Sequence, residues 1–454
     1  MNIIRKIALT ILLFSSLSAM AVEYDVTMTY NQTLATLSNE QNTVYVSMKN
    51  LGTEDAKTLD LTIDAGGVKS AQTVAVELEG GFNMTEDVAV KFLAPEAQGK
   101  YSLTISIDKV NGQPNGNSQT LVINAQNVTK KAPYKVLLEE FTGTICPWCI
   151  RGWVGMEEVK THLSDICVPI AVHQYNINNT IDPMKIALDS YAPMSFASAP
   201  TAKVNRKENI DPYFGTTKRD NLHILDDIRQ RAVEVAKVAV DVEGEWNSDS
   251  TAVNAKACLE FLGDFGNYNV EFVLTADSLT SKLAAWRQQN AYAASLPSAN
   301  SIDENSPMAE FCKGGERAKN PVSGLVFNDA AISSSYVSGV NQAGKLPTDY
   351  KPGDVCELEY TIAMPTSDKL LPYIVKKEIF VNVIVTDATG RAVNAARARV
   401  GHWEEGETAI SNATTSAGKT VKAIYSASGQ RVTDDYHGAR IIVYTDGTAI
   451  KVIK

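Results

Sequence analysis

Cys146 and Cys149 stand three residues apart, where a mostly apolar run over residues 134–141 gives way to helical periodicity. Ile150, Trp153, Met156, Val159 and Leu163 recur at the spacing of one helix face. Pro147 suits the first turn, where its missing N–H would have no partner anyway. The free N–H groups and positive dipole end of that turn favour a thiolate at Cys146, and Cys149, one turn deeper, is within reach of a disulfide. The spacing therefore predicts Cys146 as the attacking, more exposed and more acidic thiol and Cys149 as the resolving one. A purely structural disulfide and a metal-ligand pair are the other readings. A closed metal site wants about four ligands, and the sequence has neither a second Cys-x-x-Cys nor clustered His, so neither metal nor cofactor is expected.

The N-terminus sets the redox compartment. Arg5 and Lys6 precede an apolar run over residues 7–17, and Ala19-Met20-Ala21 offers small residues for cleavage, which together predict a signal peptide over residues 1–21. Cleavage there leaves 454 − 21 = 433 residues, room for roughly three domains. No cysteine follows directly to take a lipid, and no later run reaches the roughly 18–20 apolar residues of a spanning helix. The expected location is exported: periplasm, outer-membrane surface or extracellular. A net charge of −10 without any Lys/Arg run argues against nucleic acid or anionic lipid as the main ligand. Six cysteines in a chain this long are too sparse to be its main support, so an apolar core must hold it together.

Patterning divides the remainder into segments. Residues 22–130 read as all-β, with alternating runs at 43–48, 74–78 and 101–107 separated by turns such as Gly66-Gly67 and Gly80-Gly81. They resemble bacterial immunoglobulin-like domains of the cell-adhesion kind and hold neither Cys nor His. Past Lys130-Lys131-Ala132-Pro133, residues 131–236 alternate strand and helix, with strands at 134–141, 168–173 and 201–204 and helices at 147–163 and about 218–236, an α/β order. Residues 237–407 turn β-rich again as a C-terminal sandwich, interrupted by a polar, partly helical insertion between 281 and 318. Residues 408–454 form a last β segment.

Two further residues fit the cysteine pair. Glu140 lies six residues before Cys146 on the incoming strand, where a carboxyl in an apolar setting has a raised pKa and can shuttle protons near neutral pH. Glu139 must then face the other way. Ala199-Pro200-Thr201 opens a later strand. Glu140, the Cys-x-x-Cys and Pro200 together resemble the thioredoxin fold, which implies a cis proline against the disulfide, a buried acid beneath it, and catalytic roles for Cys146, Cys149, Glu140 and Pro200. Residues 136–144, Arg151-Gly152, 168–173, Asp182-Pro183-Met184, 200–206, 381–387 and 393–396 are similar to the outer membrane protein 28-related family of Bacteroidetes. That resemblance spans residues 130–400 and implies an exported thioredoxin-like core with a β-rich C-terminal half. Ile145 departs from the thioredoxin pattern and Pro147-Trp148 from the family's, which leaves the reduction potential open.

Bland readings accompany the sharp ones. His173 is read first as a hydrogen-bonded structural histidine, Asp182-Pro183-Met184 as a loop brace, and Cys258 and Cys356 as core thiols; Cys167 and Cys312 stay unassigned, and residues 176–182 are read as a loop over the active face. Residues from about 422 resemble the terminal sorting domains of type IX secretion, with strands that complete the preceding sandwich as the alternative. The resulting expectation is a multi-domain chain with an α/β thioredoxin-like domain flanked by all-β immunoglobulin-like sandwiches. Its expected function is an extracytoplasmic thiol–disulfide oxidoreductase acting through Cys146–Cys149 on thiols or disulfides of exported proteins. The alternative is a cell-surface or outer-membrane-associated binding or adhesion protein with a structural disulfide and no catalysis.

Overall fold

The computed structural model describes residues 22–175, 182–194, 196, 198–216, 220–401, 421–426, 431–433, 439–445 and 449–453. The expected signal peptide, residues 176–181 of the expected loop and residues 408–420 lie outside the described residues. The chain divides into two compact units, one made of residues before 35 together with Gln41–Pro95 and Tyr101–Ala125, the other of the rest.

The first part of the chain is all strand: β1 (Val26–Thr29), β2 (Leu34–Thr36), β3 (Gln41–Asn50), β4 (Ala56–Ala65), β5 (Val68–Leu78), β6 (Thr85–Leu93), β7 (Gly99–Val110), β8 (Gln113–Pro114) and β9 (Thr120–Asn127). They form two sheets, β1-β3-β6 and β2-β9-β7-β4-β5. Along β3 every second residue is buried, Val44, Val46 and Met48 among them, the period-2 signature of a strand with one face inward. Those side chains meet Leu59, Ile63 and Ile105 of the facing sheet in one apolar core. This is the expected immunoglobulin-like sandwich.

The second unit contains β10 (Val136–Thr142), α1 (Ile150–Leu163), β11 (Cys167–His173), β12 (Thr201–Val204), β13 (Glu208–Ile210), α2 (Ile224–Arg231), β14 (Val238–Trp246), β15 (Ala252–Phe261), β16 (Tyr268–Ala276), β17 (Ala330–Ser334), β18 (Tyr336–Val337), β19 (Val340–Asn341), β20 (Val355–Ala363), β21 (Ile379–Asp387) and β22 (Ala392–Arg399). Eight of these strands build one sheet in the order β13-β12-β10-β11-β17-β16-β21-β22. The expected fold class is overturned here. No α/β thioredoxin-like domain stands between sandwiches; the chain is mostly β, with α1 and α2 the only α-helices among the described residues. The physical reason lies in β11, whose seven residues are all buried. A strand in the middle of a sheet needs a neighbour on each side, and β11 takes β10 on one and β17 on the other, Ala171 opposite Ala330. β16, β21 and β22 continue the same sheet, so the expected helix-and-strand domain is fused to strands from the C-terminal half.

The three-stranded sheet β14-β15-β20 shares a core with this large sheet, through Val242, Leu259, Phe272, Leu274 and Val383. The insertion within 281–318 consists of short 3-10 turns, Ala284–Trp286 and Ala291–Ala294 among them, whose aromatic side chains enter that core. Last come β23 (Val421–Ser426), β24 (Arg431–Val432), β25 (Ala439–Tyr444) and β26 (Ala449–Ile453). Among the described residues they pair only with one another, in a sheet of order β24-β23-β25-β26.

Candidate functional site

The cysteine loop joins β10 to α1, and Cys146 and Cys149 are bonded to each other across a Cα separation of 5.3 Å. Its turns are closed by Cys146 N donating to the Gly143 carbonyl and Cys149 N to that of Cys146. The expected difference in exposure is absent: Cys146 is 1% exposed and Cys149 0%, while Trp148 between them is 48% exposed. The insertion is bonded to this loop. Gln289 N donates to the Thr144 carbonyl and Ala291 N to that of Pro147, both at 2.8 Å. The Gln288 side-chain amide donates to the Cys146 carbonyl at 2.8 Å, and Trp148 packs edge-on against Tyr292. Buried Trp286 and Tyr292 anchor both ends of this segment. The Asn290 amide ties it to the Phe311 carbonyl at 2.9 Å.

Glu140 sits in the middle of β10, opposite Ala171 and Ala202. It is buried, and its Oε1 has no hydrogen-bond partner among the described residues. Burial pushes its carboxyl up to about 7, against the nearby His173 charge and a hydrogen bond from Thr142. Oε1 points at the first turn of α1, and only glycine fits there: a Cβ on Gly152 would lie 2.0 Å from it and 3.1 Å from Pro200 Cβ. The Ala199–Pro200 peptide is cis, and Ala199 O lies 3.5 Å from Cys146 Sγ. The structure thus brings all four sequence-picked residues, Cys146, Cys149, Glu140 and Pro200, around the start of α1. Glu139 faces the other way and accepts two hydrogen bonds from Arg206 and one from Tyr191.

His173 is hydrogen-bonded, its Nδ1 2.8 Å from Asp182 Oδ2. The same carboxylate accepts backbone N–H groups from Thr144 at 2.7 Å and Met184 at 2.9 Å, so Asp182 braces both its own loop and the cysteine loop. Burial acts to lower the His173 pKa, but the Asp182 charge and hydrogen bond outweigh it and hold the imidazole above its ordinary value. Burial also works against the Asp182 carboxylate. His173 and the two backbone donors overcome that and hold it below the ordinary range.

The sequence reading missed two groups. One is the segment 288–292, whose only local sign was an amide-rich run, Gln288-Gln289-Asn290, between Trp286 and Tyr292. The other is Arg151, whose guanidinium bridges Asp211 Oδ2 at 2.9 Å and the Tyr292 hydroxyl at 3.0 Å, tying α1 to that segment. Cys167, Cys258, Cys312 and Cys356 are unbonded to one another. Cys258 pairs in register with Glu357 and Cys356 with Leu259, which places the two thiols on opposite faces of the sheet. Burial pushes the Cys312 thiol up to about 11, and that of Cys167 higher still. Among the described residues no cluster of three or more His, Cys, Asp or Glu is placed to hold a metal ion, and no helix is long and apolar enough to cross a membrane.

The CARDB family matches residues 24–119. No curated protein matches the chain. Among solved structures, HBP35 of Porphyromonas gingivalis is similar at 14% identity and a TM-score of 0.38, over 72% of this chain and 100% of that one. Protein AGR_C_4864 from Agrobacterium tumefaciens is similar at 13% identity and 0.32, over 61% and 99%. The CARDB domain of PF1109 from Pyrococcus furiosus, a structure in complex with di-metal ions, gives 16% and 0.19, over 24% and 96%. Likenesses this slight carry no argument about activity. The family match stops at residue 119, and the resemblance of residues 130–400 to the outer membrane protein 28-related family rests on its motifs alone. Residues 24–119, which match the CARDB family, fold as an immunoglobulin-like domain.

Proposed function

We propose that this chain is an exported, cell-surface binding protein, in which the immunoglobulin-like domain engages a partner and the Cys146–Cys149 disulfide is structural. The observation that carries this reading is burial: Cys146 and Cys149 are both buried, and residues 288–292, whose anchors belong to the main core, are hydrogen-bonded to the loop that holds them. Thiol exchange needs a thiolate to reach a sulfur, and the burial of both cysteines speaks against that approach. The CARDB match supports the binding role. The separate C-terminal sheet suits an address module read during export to the outer surface. The test is a redox titration of the mature protein that follows the Cys146–Cys149 couple. A midpoint below about −300 mV marks a structural bond, whereas one between about −120 and −270 mV places it with the exchange enzymes and overturns the proposal.

One observation favours thiol–disulfide exchange as a second reading. Glu140, buried against the start of α1 with its carboxyl near 7, is a proton donor of the kind that a departing Cys149 thiolate needs. In that reading Cys146 attacks, Cys149 resolves and Pro200 shapes the site. Cys149→Ala in cells would then trap mixed disulfides with exported proteins, visible on a non-reducing gel. The absence of adducts sinks it.

A further inference from the structure

The immunoglobulin-like domain leaves an apolar cluster in water at one end. Phe82 is 76% exposed, Leu51 46% and Met84 39%. The three converge because their loops are tied together: Asn50 N donates to the Met84 carbonyl at 3.0 Å and Gly81 N to that of Gly52 at 2.9 Å. The Asn50 side-chain amide donates to the carbonyls of Glu54 and Leu78, each at 2.9 Å. The packing is tight, since a Cβ on Gly80 would lie 2.2 Å from the Thr53 carbonyl oxygen. Gly81 and Asn83 take positive φ values of 75° and 54°, and Phe82 stands between them at the apex of the turn. Exposed apolar side chains on loops tied to one another pay little backbone entropy on binding.

The rim is acidic. Across residues 22–25, 51–57 and 77–84 the sequence carries Glu23, Asp25, Glu54, Asp55, Glu77 and Glu79 against one basic side chain, Lys57, and the α-amino group that cleavage after Ala21 leaves at Val22. Asp55 and Glu23 belong to the same tip, Asp55 accepting the Gly80 N–H at 3.0 Å and Glu23 O accepting that of Glu54 at 3.1 Å.

We propose that this tip docks a cationic amphipathic segment of a partner protein, whose apolar face covers Leu51, Phe82 and Met84 while its Lys and Arg side chains meet the surrounding carboxylates. The proposal rests on the binding reading above and names its face and its partner's chemistry. Charge selects the occupant: an anionic lipid surface is repelled by the rim, and a second copy brings acid against acid.

The test uses the full mature chain and a fluorescent helical peptide with a leucine face flanked by lysines, alongside a glutamate–leucine counterpart, phosphatidylglycerol vesicles and sedimentation of the chain alone. The expected result is anisotropy binding of the lysine peptide that weakens with salt. Phe82→Asp and Glu54→Lys should each weaken it about tenfold or more, with circular dichroism and melting temperature unchanged because both side chains are exposed. Equal binding by wild type and both variants, equal binding of the glutamate peptide, Phe82-dependent vesicle binding in its place, or Phe82-dependent dimerisation would each overturn it. The two proposals fail separately. If the peptide test fails while the disulfide titrates as structural, only the tip is lost; if the disulfide titrates among exchange enzymes, the binding reading itself falls.

Discussion

Asp182 holds His173 and the cysteine loop with one oxygen, its Oδ2 lying 2.8 Å from His173 Nδ1 and accepting the Thr144 N–H at 2.7 Å. Both side chains are buried, so the pair is worth most through what its loss would strand. Asp182→Asn removes the charge that holds His173 above its ordinary value and leaves the buried ring facing an amide, and breaking such a pair costs about 3–5 kcal/mol. The urea midpoint of the oxidised variant should fall accordingly. The same pair fixes a pH window. His173, raised in the folded state, contributes stability that is complete below its ordinary value of 6.5 and is lost as pH rises through its folded pKa. Asp182, lowered, contributes above its ordinary value of 3.8 and loses that contribution as pH falls through its folded pKa. Between these limits the variant should lie furthest below wild type, and a constant gap at every pH would contradict the assignment.

Gly152 tests how closely α1 must approach Glu140. Alanine in place of glycine inside a helix normally gains about 1 kcal/mol. Here the new Cβ would lie 2.0 Å from Glu140 Oε1, and overpacking of this kind costs about 1–3 kcal/mol. Gly152→Ala should therefore lower the melting temperature, and adding Glu140→Ala should restore part of the loss. A double-mutant cycle reads that coupling directly; additive effects would show that the two positions do not meet.

Local elements were legible in the sequence because their signals are local. The strand at 201–204 matches β12, the run at 168–173 differs from β11 by one residue, and the helix expected over 147–163 is α1, which starts three residues later, at Ile150. Glu140 could be picked because its distance from the Cys-x-x-Cys resembles that of the buried acid of thioredoxins, and alternation then turns Glu139 the other way. The partnership of β11 with β17 could not, because no local period links Ala171 to Ala330 across the chain. The α/β reading failed at that point, where tertiary pairing decided which sheet the strands would join. The segment 288–292 was hidden for a related reason: its backbone bonds to Thr144 and Pro147 leave no mark on side-chain pattern, and its side-chain contacts, Gln288 with Cys146 and Tyr292 with Trp148 and Arg151, join residues that no local period links.

Glu140 itself should make the fold weaker as pH rises. Its carboxyl moves from 4.5 to about 7 on folding, so the folded state holds a proton that the unfolded state releases between those values. Stability from this group is complete below about 4.5 and is lost as pH rises through about 7, a change on the order of 3 kcal/mol. Glu140→Gln keeps the shape and removes the titration. The gap between variant and wild type in denaturant midpoint should therefore shift in the variant's favour between pH 5 and pH 8. A gap that does not change with pH would mean that Glu140 titrates as an ordinary carboxylate.

Arg206 offers the sharpest test of a group that only the three-dimensional fold assembles. Its guanidinium donates to both oxygens of Glu139 at 2.9 and 2.8 Å and to both oxygens of Glu271 at 2.7 and 2.8 Å. Tyr191 and Tyr336 add hydroxyl donors to the same two carboxylates. All of this is held by a residue with φ of +56°, a region that side chains other than glycine seldom adopt. Arg206→Met fills the space yet strands two buried carboxylates, and should cost about 3–5 kcal/mol. Glu139→Gln and Glu271→Gln added to it remove the stranded charges, and most of the loss should return, because the penalty comes from unpaired charge more than from missing contacts. Equilibrium urea unfolding of the single and triple variants separates the two causes. A triple variant no more stable than Arg206→Met would place the loss in the packing and left-handed backbone at residue 206, and not in the ion network.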